Sequence, residues 1–238
     1  MFWAHSDPDG LPFDSPSSRA QPLADHLSNV SRLAKLLAQA AAPGDPALHR
    51  MAIMAGLLHD YGKYTECFQK MIRVGRGKCP HSIFGAIAAR QFGLRPGEPS
   101  RDWAMPVVHA IAAHHAGLRD HDSLEPETRS TNGSGPVKQQ REIALNIWRA
   151  ALKDQPAIPR ALRSIPPPPS KCSQDLLTRM LLSCLVDADR LDTAGRANSQ
   201  APLLASERLS QLLRHLGDLH VQAVARGGKA SSSNHDCR

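Results

Sequence analysis

An all-α fold is the expectation for this chain, and three observations set it. Apolar residues recur every three or four positions through most of the 238 residues, which is the period of a helix with one buried face. Alanine and leucine are abundant while aromatics make up only 4%, a composition that favours helix over sheet. The apolar–polar alternation that marks half-buried strands is almost absent.

Residues 1–21, rich in Pro, Ser and Asp, read as an irregular arm, and one helical domain is expected over 22–224. Leu23, Leu27, Val30, Leu33, Ala34 and Leu37 predict an amphipathic helix from Pro22 to Ala42, ended by Pro43 and Gly44. A second helix, Pro46 to His59, is apolar almost all round after Met51 and is therefore central; Gly62 breaks it. Tyr64 to Ile72 predicts a short helix, followed by a basic turn with Arg73, Arg76 and Lys78. His81 to Phe92 is a helix of small residues ending at Gly93, and Pro106 to Ala116 is another, stopped by Gly117. The Ser, Thr, Asn, Gly and Pro of 119–138 read as a long mobile loop. Glu142 to Leu152 is helical again, and Pro166 to Pro169 is a stiff spacer. Ser173 to Leu191 carries the stripe Leu176, Leu177, Met180, Leu181, Cys184, Leu185 and Ala188. A last helix is expected over Pro202 to Val224, before a disordered polar tail, 225–238.

The composition narrows the function classes. Hydrophobic residues make up 41%, enough for a core, yet no apolar run approaches the roughly 18–20 residues needed to cross a bilayer. The first residues lack the layout of a secretory signal, so a cytoplasmic protein with no membrane partner is expected. Five cysteines, odd in number and without a Cys-x-x-Cys, argue against a disulfide framework or zinc ribbon. A net charge of +7 is consistent with a polyanionic partner.

The informative feature is a set of histidines and aspartates at apolar positions or helix ends. His59 and Asp60 stand side by side at the end of the most apolar helix, where an unpaired carboxylate costs several kcal/mol or must take up a proton. His26 shares a face with Val30, Leu33 and Leu37; His81 opens the fourth helix; His114 and His115 close the next; Asp189 follows Leu185 by four residues on the core stripe of its helix. Taken singly, each is an ordinary hydrogen-bonded or capping residue. Together they would leave a very polar core unless a divalent cation binds them, and imidazole and carboxylate are both good ligands for such ions. His5, His49, His109, His121, His215, His220 and His235 read as loop, surface or tail, with His109 the nearest to a supporting role.

The order His…His-Asp…Asp, with Gly62 and Lys63 after the doublet, resembles the HD superfamily of metal-dependent phosphohydrolases. Further segments are Trp3-Ala4-His5-Ser6, Gly56-Leu57-Leu58-His59-Asp60, Thr65 with Phe68-Gln69, His81-Ser82, His114-His115-x-Gly117-Leu118 and Asp187-Ala188-Asp189-Arg190-Leu191-Asp192-Thr193. Together they are similar to the HD nuclease domain of the CRISPR-associated helicase-nuclease of type I systems. The resemblance implies a helical bundle with a central metal site. It makes His26, His59, Asp60 and Asp189 the ligands of one ion, and His81, His114 and His115 those of a second, with Asp60 bridging. Asp187 is the alternative to Asp189.

A divalent cation supplies phosphodiester hydrolysis with an acidified water, its pKa lowered from about 15.7 to about 7, and with charge stabilisation on the phosphoryl oxygens. Asp60 and Lys63 are the expected catalytic residues, Lys63 neutralising a non-bridging phosphate oxygen. Imidazole-rich ligation suits Mn, Fe, Co or Ni; Mg, which prefers oxygen, is the remaining option. Arg73, Arg76, Lys78 and Arg119, in loops beside ligand-bearing segments, are expected to carry the backbone of single-stranded DNA. No Gly-x-x-x-x-Gly-Lys-Ser/Thr loop occurs, so no helicase motor is expected within this sequence; the resemblance implies a separate helicase and a CRISPR RNA-guided complex as partners. Two other readings stand beside this one: an HD phosphohydrolase of nucleotides, and a non-catalytic DNA-binding protein of the same fold.

Overall fold

The computed structural model describes residues 1–92, 104–128, 135–163 and 171–195. Among them, strand is confined to β1 (Trp3–His5) and β2 (Gln21–Pro22), and the rest is helix and connection. The helices are α1 (Leu23–Ala41), α2 (Pro46–Leu58), α3 (Glu66–Val74), α4 (Ser82–Phe92), α5 (Met105–Ala113), α6 (His121–Thr128), α7 (Pro136–Asn146), α8 (Trp148–Asp154), α9 (Ala157–Arg163) and α10 (Lys171–Thr193). A 3-10 turn, Tyr61–Tyr64, joins α2 to α3. The all-α expectation holds. The helix expected over 202–224, the 225–238 tail and the Pro166–Pro169 run lie outside the described residues.

α2 is the central element. Asp45 caps it by accepting from the Ala47 and Leu48 amides, and Pro46 starts its first turn. Met51, Ala52, Met54, Ala55, Leu57 and Leu58 are all buried, as expected of a helix with no polar face. α1 lies along α2, and Gly56 lets the two backbones approach: a Cβ there would run into the Ser31 backbone. α10 packs on α1, α2 and α5, and α4 packs on α5. The core formed by Leu27, Val30, Met54, Leu58, Ile87, Ile111, Leu181 and Leu185 therefore closes around the end of α2.

Four expectations need correction. The 1–21 arm is not irregular throughout: β1 pairs antiparallel with β2, Trp3 opposite Pro22 and His5 opposite Gln21. Asp7 organises the turn between them by accepting from the amides of Asp9, Leu11 and Arg19. The loop of 119–138 contains α6 and the start of α7. α6 is held by one fully buried apolar residue, Leu124, and by Thr128, which accepts from Arg90, so it shows no helical stripe. The single helix over Glu142–Leu152 is two, α7 and α8, broken at Ile147. Finally, Cys67 on α3 and Cys79 form a disulfide with Cα atoms 6.3 Å apart. Cys184 is free and buried among the helices, where burial raises its thiol to about 11.

Candidate metal centre

Asp60 sits where α2 ends and the chain turns into the 3-10 helix, only 1% exposed. Its two oxygens face different neighbours. Oδ2 accepts from Lys63 Nζ at 2.6 Å and lies 3.1 Å from His26 Nε2 and 3.3 Å from His59 Nε2. Oδ1 lies 3.4 Å from His81 Nε2 and 3.6 Å from His114 Nε2. Two groups share this carboxylate: His26, His59, Asp60 and Asp189 on one side, and Asp60, His81, His114 and His115 on the other. In each, the ligand-type atoms lie within 4.8 Å of one another.

Each member arrives for a local reason. His26 is on the buried face of α1, one turn from Val30. Asp189 projects from α10 with Oδ1 3.4 Å from His26 Nε2 and 3.6 Å from His59 Nε2. Asp187, the alternative, is exposed and belongs to neither group. His81 precedes α4, and Gly62 admits it, since a Cβ at Gly62 would collide with the His81 backbone. His114 and His115 end α5 with rings 3.9 Å apart, and His115 Nε2 reaches 2.8 Å from His81 Nε2.

The hydrogen bonds at the far ring nitrogens decide what these imidazoles offer. A carbonyl oxygen only accepts, so Nδ1 carries the proton where His59 donates to Gly56 O (2.9 Å), His114 to Ile111 O (2.6 Å) and His81 to Cys79 O (3.3 Å). In the neutral rings Nε2 then presents a lone pair to the cluster, beside the carboxylate oxygens. Lone pairs converging on one point repel unless a proton or cation lies between them. Asp60 Oδ1 and His114 Nε2 are buried and have no hydrogen-bond partner among the described residues; their 3.6 Å separation is too long to be one. The residues present fit a divalent cation on each side of Asp60.

Charge follows the same division. Burial would raise the Asp60 carboxyl, but Lys63 and His59 hold it well below the usual carboxylate range. Burial would lower His59, yet the Asp60 and Asp189 carboxylates push it up to about 10. On the other side burial prevails. It lowers His81, and it lowers His115 to about 4 with the help of His114 and His81.

Some expected residues make other contacts than a bound strand would need. Lys63 was expected to meet a phosphate oxygen, but it is 5% exposed, and its ammonium is committed to Asp60 Oδ2 and to the Ala4 carbonyl at 3.2 Å. The 3-10 turn curls it back under the doublet. Arg119 is tied to Glu127 by two bonds, 2.6 and 3.0 Å. Arg73, Arg76 and Lys78 are exposed on the stretch leading to His81. His109 lies apart from the cluster, stacked on His121 with ring centres 5.7 Å apart. Two residues outside the expected ligand set are in contact with the cluster. The His5 ring packs edge-on against His26 at 4.9 Å and reaches within 3.4 Å of Thr193 Oγ1, and burial together with Lys63 lowers it to about 3. Asp192, 3% exposed, accepts from His26 Nδ1 at 2.6 Å. The signal for Asp192 was its i+3 spacing from Asp189, which puts both on one face; for His5 it was the Trp3-Ala4-His5-Ser6 segment.

A helical bundle that gathers imidazoles and carboxylates from five segments around one buried aspartate defines a metal-dependent hydrolase scaffold. The chain belongs to the HD domain family, whose model matches residues 23–151. That stretch holds every cluster residue except Asp189, which α10 supplies from beyond it. The chain is also similar to a Ribonuclease Y of Syntrophobacter fumaroxidans (strain DSM 10017 / MPOB), 29% identical over 139 residues. The similar stretch covers 58% of this chain and 23% of that relative. No helix of the described residues is long and apolar enough to cross a membrane.

Proposed function

We propose that this chain is a metal-dependent phosphodiesterase that cleaves single-stranded DNA, as the HD nuclease of type I CRISPR interference does. In this reading a separate helicase and an RNA-guided complex present the strand. The observation that carries it is Asp60, whose two oxygens each face one ligand group. The two groups would each hold a divalent cation, which would supply an acidified water and charge stabilisation to phosphodiester hydrolysis.

The chain's own residues supply the rest. Lys63 keeps Asp60 ionised from behind. His115 is exposed, so this side of the cluster is open to a polymer rather than closed around a small molecule. Arg73, Arg76 and Lys78 offer exposed positive charge for the strand's phosphates on the way to His81. With so few aromatics to stack on bases, little sequence preference is expected.

A second reading, hydrolysis of RNA, is favoured by the similarity to a protein named Ribonuclease Y. One experiment separates the readings: circular single-stranded DNA, an RNA of the same sequence and mononucleotides, each incubated with the protein plus Mn or Ni and with chelator. Degradation of the DNA alone, abolished by chelator and by Asp60→Ala, is the expected result. RNA cleavage with intact DNA selects the second reading. Turnover of mononucleotides alone, or tight DNA binding without cleavage, overturns both.

A further inference from the structure

The histidines of the cluster are not held alike. His59, His81 and His114 each give their Nδ1 proton to a backbone carbonyl, a neutral acceptor. His26 gives its own to a carboxylate, Asp192 Oδ2, at 2.6 Å, with both side chains buried. A carboxylate cannot donate when ionised, so Nδ1 carries the proton and Nε2 is left as a lone pair aimed at Asp60, Asp189 and His59. An anion behind the ring also makes Nε2 a stronger donor than a carbonyl does.

Asp192 is held in turn. Gln21 Nε2, on β2, donates to the same Oδ2 at 2.6 Å, and β2 is kept in place by its pairing with β1. A chain of bonds thus runs from the N-terminal hairpin through the last turn of α10 to His26. Counting Asp192, the His26 side gathers three carboxylates around two imidazoles. The other side has Asp60 alone with three imidazoles.

We propose that Asp192 is a positioning residue that makes the two cation positions unequal. It fixes His26 as an Nε2 donor and raises the affinity of the His26, His59, Asp60 and Asp189 group above that of its neighbour. Gln21 holds Asp192 in place, which makes the N-terminal hairpin part of the metal centre. The inference rests on the metal reading of the cluster but not on the substrate.

The test is binding, not turnover. The metal-free 238-residue chain is titrated with Mn(II) and followed by calorimetry and by the free-Mn(II) electron paramagnetic resonance signal. The wild type is expected to fill in two unequal steps. Asp192→Asn keeps the shape and removes the charge; it should weaken the tight step by about 10-fold. Asp192→Ala should weaken it by up to about 100-fold, and Gln21→Ala by less than either. The weak step should stay where it is. A residue that only packed would shift both steps or neither, and either result with Asp192→Asn, which is close to isosteric, overturns the proposal. Two equal steps in the wild type overturn it as well. A wild type that takes up no Mn(II) removes the metal reading and this inference with it, whereas uptake unaffected by Asp192→Asn removes the inference alone.

Discussion

The two sides of Asp60 are built from different parts of the molecule. His26, His59 and Asp189 come from α1, from the end of α2 and from α10, helices packed against one another through the core. His26 and His59 are fully buried. His81 and His115 come instead from a connection and a helix end, the first partly exposed and the second exposed. One side therefore combines extra negative charge with rigid helices, which suits retention of a cation. The other combines an imidazole-rich set with access from solvent at His81 and His115, which suits a position that meets substrate. Sharing a single carboxylate lets one buried residue serve both.

The largest effect that breaks the comparison is Asp60→Ala, because it removes the group common to both sides. Both Mn(II) steps should disappear from calorimetry, and turnover with them. The metal-free variant should also lose about 3–5 kcal/mol of stability in urea unfolding, since Lys63 would be left buried without its counter-ion. Retention of either binding step would show that the two sides do not depend on one carboxylate.

A smaller effect sharpens the comparison by pH. On the first side His59, pushed up to about 10, holds a proton at neutral pH in the metal-free protein. A cation must displace it. Affinity there should rise about tenfold per pH unit between roughly 6.5 and 10, with one proton released per ion, read from calorimetry in buffers of different ionisation enthalpy. On the second side His81 and His115 are lowered, so neither holds a proton at pH 7 that a cation must displace, and affinity there should rise less steeply with pH than on the first side. The stability of the metal-free protein follows the signs. The raised His59 stabilises fully below pH 6.5, and its contribution is lost as pH rises towards 10. The lowered His115 costs stability as pH falls from 6.5 towards 4. Equal pH slopes for the two binding steps would erase the distinction.

What the chain discloses before folding divides along the same line. The first side was legible because its residues interrupt strong helical stripes: His26 among Val30 and Leu33, Asp189 after Leu185, and the doublet ending an apolar helix. Periodicity says which face is buried, and a polar residue on that face announces itself. The bond from Lys63 to Ala4 was not legible, because that carbonyl lies 59 residues away and no local pattern reports it. Asp192 and Gln21 were missed because the last turn of a helix and a two-residue strand both look like solvated ends. α6 escaped because Leu124 is its one fully buried apolar residue among those described. The pairing of Cys67 with Cys79 was invisible because their contact depends on how α3 folds back beside the His81 connection.

That disulfide gives the smallest effect and the most selective one. Cys79 lies two residues before His81 and its carbonyl takes the His81 Nδ1 proton, while Phe68, next to Cys67, packs edge-on against the His81 ring at 5.5 Å. The bridge therefore ties α3 to the connection that presents His81. Reduction, or Cys67→Ser, should lower stability by roughly 3 kcal/mol for a loop of this length, seen as a lower Tm. The second Mn(II) step should weaken a few-fold as His81 loses its fixed backbone, while the first step keeps its affinity. Equal weakening of both steps would mean that the bridge supports the bundle as a whole, and that the open side is no more separable from the core than the buried one.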